Sequence, residues 1–131
     1  MTRFLLATAS VHTTAAAADY LDGRLDADDE VVVLTVDEPG VPARDASDAV
    51  NVARSRLLPA TVTVREREGD PAAAVRATLD ETDADELLVG SRRGDPDAVP
   101  SGESDAALGS TTRALLGTVD VPVIVLPAPD L

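Results

Sequence analysis

The sequence predicts an α/β fold: a single doubly wound domain, a five-stranded parallel sheet with helices on both faces. Two observations carry that expectation. Five short apolar runs, Phe4–Ala7, Val31–Val36, Thr61–Val64, Glu86–Val89 and Val121–Leu126, alternate with helix-like stretches. Strict β-α alternation implies parallel strands joined by right-handed crossovers. The runs are also mostly continuous rather than alternating, as strands buried on both faces require. A length of 131 residues suits one domain over 1–131, with core enough to fold without staples.

Each element has a local reason. Thr13 or Thr14 is expected to cap a helix through Ala15–Leu25, with Ala17, Tyr20, Leu21 and Leu25 facing inward. Asp45 or Asp48 is expected to start a second, through Val50, Ala53 and Leu57, stopped before Pro59. Thr61–Val64 reads Thr-Val-Thr-Val, so one face is wetter, as at a sheet edge. Asp70-Pro71 starts the third helix: Asp accepts orphan N–H bonds and Pro is pre-set for the first turn. Ala72, Val75 and Leu79 then share one helix face. Gly109-Ser110-Thr111-Thr112 opens the last helix before Leu115-Leu116, and Gly117 closes it.

Composition removes several functions. There is no cysteine, hence no disulfide, thiolate metal site or cysteine nucleophile. The net charge of -13 argues against nucleic acid as a partner, since phosphate binding needs a basic patch. All 11 basic residues are arginine, and 17 aspartates accompany 7 glutamates. Acid without lysine resembles proteins of salt-loving archaea, where a Debye length of about 3 Å at 1 M screens self-repulsion. Apolar runs of about six residues fall well short of the roughly 18 that span a bilayer. A cytoplasmic chain with no membrane partner is the expectation.

Chemistry concentrates late in the chain. Val89-Gly90-Ser91-Arg92-Arg93-Gly94 ends the fourth strand, and Ser101–Ser110 leads into Thr111-Thr112. Glycines let backbone N–H groups approach an anion, a helix start adds unpaired donors, and Ser110, Thr111 and Thr112 add hydroxyls. Ligands of such sheets sit at the carboxyl ends of strands where strand order reverses. Ser and Thr are also ordinary helix caps, and Gly90 also suits a plain turn. His12 stands alone and is read as a surface loop residue; Asp26–Glu30 is read as a solvated acidic turn.

In this stretch the chain resembles the universal stress protein family. Gly90-Ser91, a loop with Ser101-Gly102, then Leu108-Gly109-Ser110 and Val121-Pro122-Val123-Ile124-Val125 follow its order. Glu68–Ala72, Asp83–Ser91 and Val36–Pro39 match other parts. The resemblance implies a Rossmann-like fold, of the adenine nucleotide alpha hydrolase-like kind, with strands in order 3-2-1-4-5. It also implies an ATP site, with Mg²⁺ as companion. Carried over, Gly90, Arg92, Gly94, Gly109, Ser110, Thr111 and Thr112 fall in the phosphate- and ribose-binding stretch. Val36 falls at the adenine pocket and Thr8 at the end of the first strand. A homodimer through the Val121–Leu126 edge strand matches the family's usual pairing and removes an apolar edge.

Two departures weaken the site. The glycine spacing is stretched around Asp95–Pro100, in a loop (Asp95–Asp105) with four carboxylates. Ala9 stands where relatives carry an aspartate that hydrogen-bonds the nucleotide. The expectation is therefore a stress-response regulatory domain with a degenerate ATP site. The alternative is a non-nucleotide-binding dimeric interaction module of the same family. An enzyme of a related fold would need His-x-Gly-His or Ser-Gly-Gly-x-Asp, and neither occurs. No catalytic residue and no metal ligand is assigned, and slow hydrolysis is left open.

Overall fold

The structure is a computed structural model that describes residues 1–37, 43–90 and 110–127. Its elements run β1 (Arg3–Ala7), α1 (Val11–Leu21), β2 (Glu30–Asp37), α2 (Ala43–Arg56), β3 (Thr61–Glu68), α3 (Pro71–Thr82), β4 (Glu86–Gly90), α4 (Ser110–Leu115) and β5 (Val123–Leu126). They build one five-stranded sheet in the order β3-β2-β1-β4-β5. Every pairing is parallel, as the alternation required.

Strand alternation splits the core into two layers. Phe4, Leu6, Val31, Val33 and Leu88 point to the face covered by α1 and α2. Leu5, Val32, Leu34, Leu87 and Val89 point to the face that α3 and Leu115 of α4 cover. The helices meet the sheet largely through small side chains: Ala17, Ala18, Ala53, Ala72 and Ala74 are all buried. Small contacts let helix backbones approach closely, and leucines fill the remainder.

Several boundaries differ from the sequence expectation. Ser10, not Thr13 or Thr14, caps α1: its Oγ accepts the Thr13 N–H at 3.1 Å. The helix stops at Leu21 rather than Leu25, because Gly23 takes a positive φ of 78° and turns the chain. Leu25 still packs on the core from beyond that turn. His12 is exposed, but in the first turn of α1 rather than in a loop. Asp45 lies in the first turn of α2, which begins at Ala43, and Asp48 lies inside that helix; neither caps it.

β3 runs four residues past Val64, because β2 offers it partners up to Asp37, opposite Glu68. It is an edge strand and is wetter, as its alternation suggested. β5 begins at Val123 rather than Val121. Pro122 has no N–H to give the ladder, although its carbonyl accepts from Leu87 N at 2.9 Å. Asp70 caps α3 with Pro71 behind it.

The Asp26–Glu30 segment is not simply a solvated turn. Asp29 is only 6% exposed, and its carboxylate accepts backbone N–H groups from Thr2 at 2.8 Å and Asp26 at 2.9 Å. Those two donors hold its pKa below the ordinary value. Next to it, Glu30 accepts from Thr63 Oγ1 at 2.8 Å and from Arg3 Nε at 2.5 Å. The Thr63 hydroxyl first, then Arg3, lowers the Glu30 pKa. This polar cluster binds β1, β2 and β3 together at their amino ends, the end opposite Thr8 and Gly90.

Candidate functional site

Strand order reverses between β1 and β4, so the crevice to inspect is at their carboxyl ends. Register places the candidates there. Ala7 pairs with Val89 and with Leu34, so Thr8, Gly90 and Val36 lie just beyond on three adjacent strands. Three residues far apart in sequence thus share one rim. Arg92, Gly94 and Gly109 lie outside the described residues, as does the Asp95–Asp105 loop. Ser110 and Thr111 begin α4.

The hydroxyls at this rim are occupied within the fold. Thr8 is buried; its Oγ1 lies 3.0 Å from Thr14 Oγ1 and 3.0 Å from the Ser10 carbonyl, and accepts the Ser10 N–H at 3.3 Å. Thr14 Oγ1 is also 3.0 Å from the Ser10 carbonyl. Thr8 N continues the ladder to Leu34 O at 3.1 Å. Thr112 donates its hydroxyl to Gly90 O at 2.7 Å. Among the described residues no buried side-chain polar atom lacks a partner.

Thr8 and Thr112 therefore shape the rim, and the groups open to a ligand lie elsewhere. Ala9 is exposed in the bend between β1 and α1, where it offers a methyl group and backbone only. Val36 is half-buried and apolar at the end of β2, suited to a flat aromatic ring. Gly90 is half-exposed at the end of β4. Arg67, in register with Val36, is already paired with Glu81.

Sequence reasoning had not singled out Ser10 and Thr14 as the pair that anchors Thr8. The signal was present as a Ser directly before Val11 and a Thr four residues later, the spacing at which side chains meet across one helical turn. Among the described residues no three His, Asp or Glu side chains come together as metal ligands, and no helix is long and apolar enough to cross a membrane.

Solved structures share the architecture. Hypothetical protein MJ0577, solved for structure-based assignment of its biochemical function, superposes with a TM-score of 0.77 at 15% identity, over 99% of this chain and 98% of that one. A universal stress protein in complex with cAMP gives 0.66 at 18%, over 98% of both chains. The universal stress protein from Archaeoglobus fulgidus in complex with dAMP gives 0.63 at 17%, over 96% of this chain and 98% of that one. No curated protein matches the sequence. Residues 1–127 match the universal stress protein family as a whole. With that match spanning all nine elements of the described residues, and with strands in order 3-2-1-4-5, the chain belongs to the universal stress protein family.

Proposed function

We propose that this chain is a stress-response regulatory domain that binds an adenine nucleotide weakly at the β1–β4 crevice. The observation that carries this is the convergence of Thr8, Val36 and Gly90 on one rim at the strand-order reversal. Relatives of the same fold were solved with cAMP and dAMP, which supports an adenine ring as ligand. The ring would lie against Val36, and the phosphates would turn toward Gly90 and Arg92, Gly94, Gly109, Ser110 and Thr111. ATP with Mg²⁺ is the proposed cofactor. Its affinity is low because Ala9 offers no acceptor where a buried ligand donor left unpaired costs about 1–3 kcal/mol.

The domain is proposed to act without catalysis, as a cytoplasmic homodimer joined through β5. Val123, Ile124 and Val125 leave apolar surface half-exposed on this edge. An apolar edge strand is an aggregation hazard unless paired. The acidic, lysine-free surface fits a salt-rich interior.

A second reading, an interaction module without nucleotide, is favoured by the methyl group of Ala9 and the committed hydroxyls of Thr8 and Thr112. Calorimetry with Mg-ATP, cAMP and AMP in several molar KCl separates the two. Binding in the micromolar to low millimolar range supports the first; silence at millimolar ligand supports the second. Sedimentation as a monomer at micromolar concentration would remove the homodimer.

A further inference from the structure

We infer, resting on the adenine-nucleotide reading of the β1–β4 crevice, that the Thr35 hydroxyl selects the base: it accepts from the exocyclic amine of adenine and so separates adenine from 6-oxopurines.

Six threonines are buried among the described residues: Thr8, Thr14, Thr35, Thr78, Thr82 and Thr112. Five of them spend the side-chain oxygen inside the fold. Thr8 and Thr14 share the Ser10 carbonyl. Thr78 donates to Ala74 O at 2.8 Å, Thr82 to Thr78 O at 2.7 Å and Thr112 to Gly90 O. Thr35 is only 5% exposed, yet among the described residues its Oγ1 has no hydrogen-bond partner. Every side-chain oxygen sealed from solvent among those residues does have one. The Thr35 Oγ1 is therefore not sealed, and it faces a gap that a ligand group can enter.

Strand alternation and register locate the gap. Thr35 follows Val31 and Val33 on the face covered by α1 and α2, and those valines fill the space toward the amino end. The last pair between β1 and β2 is Ala7 with Leu34, so β2 runs on from Thr35 to Asp37 with no β1 residue in the ladder beside it. The notch so left is bounded by Thr8, whose N–H reaches Leu34 O, and by Ser10 at the start of α1. Val36, the apolar wall for the ring, is the next residue of β2.

The residue type is the second sign. Val31, Val32 and Val33 precede Leu34 in this strand, and valine has the shape of threonine. A hydroxyl held in an apolar strand without a partner costs stability that valine would return. A local rule broken beside a candidate site marks a place where stability yields to another requirement.

The neighbour of Thr35 narrows the ligand. Glu66 pairs with it in register on β3, is exposed, and forms no ion pair among the described residues. Residues so paired share a face of the sheet. An ionised carboxylate only accepts hydrogen bonds. It draws the Thr35 hydroxyl proton to its own side and leaves the oxygen lone pairs for a ligand donor. The amine of adenine is such a donor. A 6-oxo group instead turns an acceptor toward the carboxylate and is repelled.

The test titrates the full chain with AMP and with IMP in molar KCl, followed by NMR, which reads weak binding directly. The wild type is expected to bind AMP about tenfold more tightly than IMP, the discrimination of one such hydrogen bond. Thr35→Val is expected to lose about tenfold in AMP affinity and most of that preference, with its urea midpoint unchanged or raised because no bond within the fold is lost. Thr35→Ser, which restores the hydroxyl, is expected to recover the preference. Equal affinities for AMP and IMP in the wild type, or an unchanged AMP affinity in Thr35→Val, would overturn the role of Thr35 while leaving nucleotide binding intact. A lowered urea midpoint in Thr35→Val would overturn it too, since the hydroxyl would then be spent in the fold. Silence of the wild type with both nucleotides at millimolar concentration would remove the nucleotide reading itself, and the base selection with it.

Discussion

Thr112 donates its hydroxyl to the carbonyl of Gly90 across 2.7 Å, which fastens the first turn of α4 to the last residue of β4. The bond joins two residues 22 positions apart in the chain. It fixes where the α4 start lies relative to the strand-end rim. The hydroxyl proton is spent inside the fold.

Thr112→Val keeps the shape and leaves the Gly90 carbonyl without its donor. Thr112 is 3% exposed, so the loss is not repaired freely by water. Urea unfolding is expected to show a destabilisation of about 1–3 kcal/mol with an unchanged slope, and Thr112→Ser a smaller effect. An unchanged midpoint in the valine variant would mean that the bond contributes nothing net.

Ala9→Asp should restore an acceptor in the β1–α1 bend. Because Ala9 is exposed, stability is expected to move by no more than about 0.5 kcal/mol. Adenine-nucleotide affinity, measured by calorimetry, is expected to rise about tenfold, the equivalent of about 1.4 kcal/mol. No gain would place the nucleotide away from this bend.

Acid should loosen the amino end of the sheet. Asp29 and Glu30 have folded pKa values below their unfolded values, through the N–H groups of Asp26 and Thr2 and through Thr63 and Arg3 respectively. Their contribution is therefore complete above the ordinary carboxylate range of about pH 4, and is lost as pH falls through the lowered values. Asp29→Asn keeps one acceptor oxygen where two N–H groups bind separate oxygens. A pH series of thermal unfolding should show this variant less stable at neutral pH, with a shallower decline in acid.

Leu88 sits in β4 with no exposed surface, packed against the α1–α2 layer. Leu88→Ala is expected to cost about 2–5 kcal/mol in urea unfolding. A smaller cost would show that the surrounding layer collapses into the space.

The parallel sheet was readable because four of its strands are short apolar runs bounded by turn residues, and the Asp70-Pro71 start was readable because both residues act locally. Ser10 was missed as a cap because three hydroxyl residues compete within Ser10–Thr14, and only tertiary contact with Thr8 selects among them. The extent of β3 was missed because Arg65–Glu68 has no apolar pattern; its strand is dictated by the edge of β2. Asp29 looked solvated because Thr2, one of its two partners, is 27 residues away in sequence. At the site, Thr8, Val36 and Gly90 could be listed as candidates from sequence, but only strand register shows that they adjoin.

The two outer strands differ in kind. β3 ends in Arg65, Glu66, Arg67 and Glu68, whereas β5 is Val123, Ile124, Val125 and Leu126. A newcomer strand meets charge that must be desolvated on one rim and bare hydrocarbon on the other. Growth by strand addition is thus one-sided. In the proposed homodimer the two apolar rims close on each other, and both remaining sheet edges are the charged β3 strands.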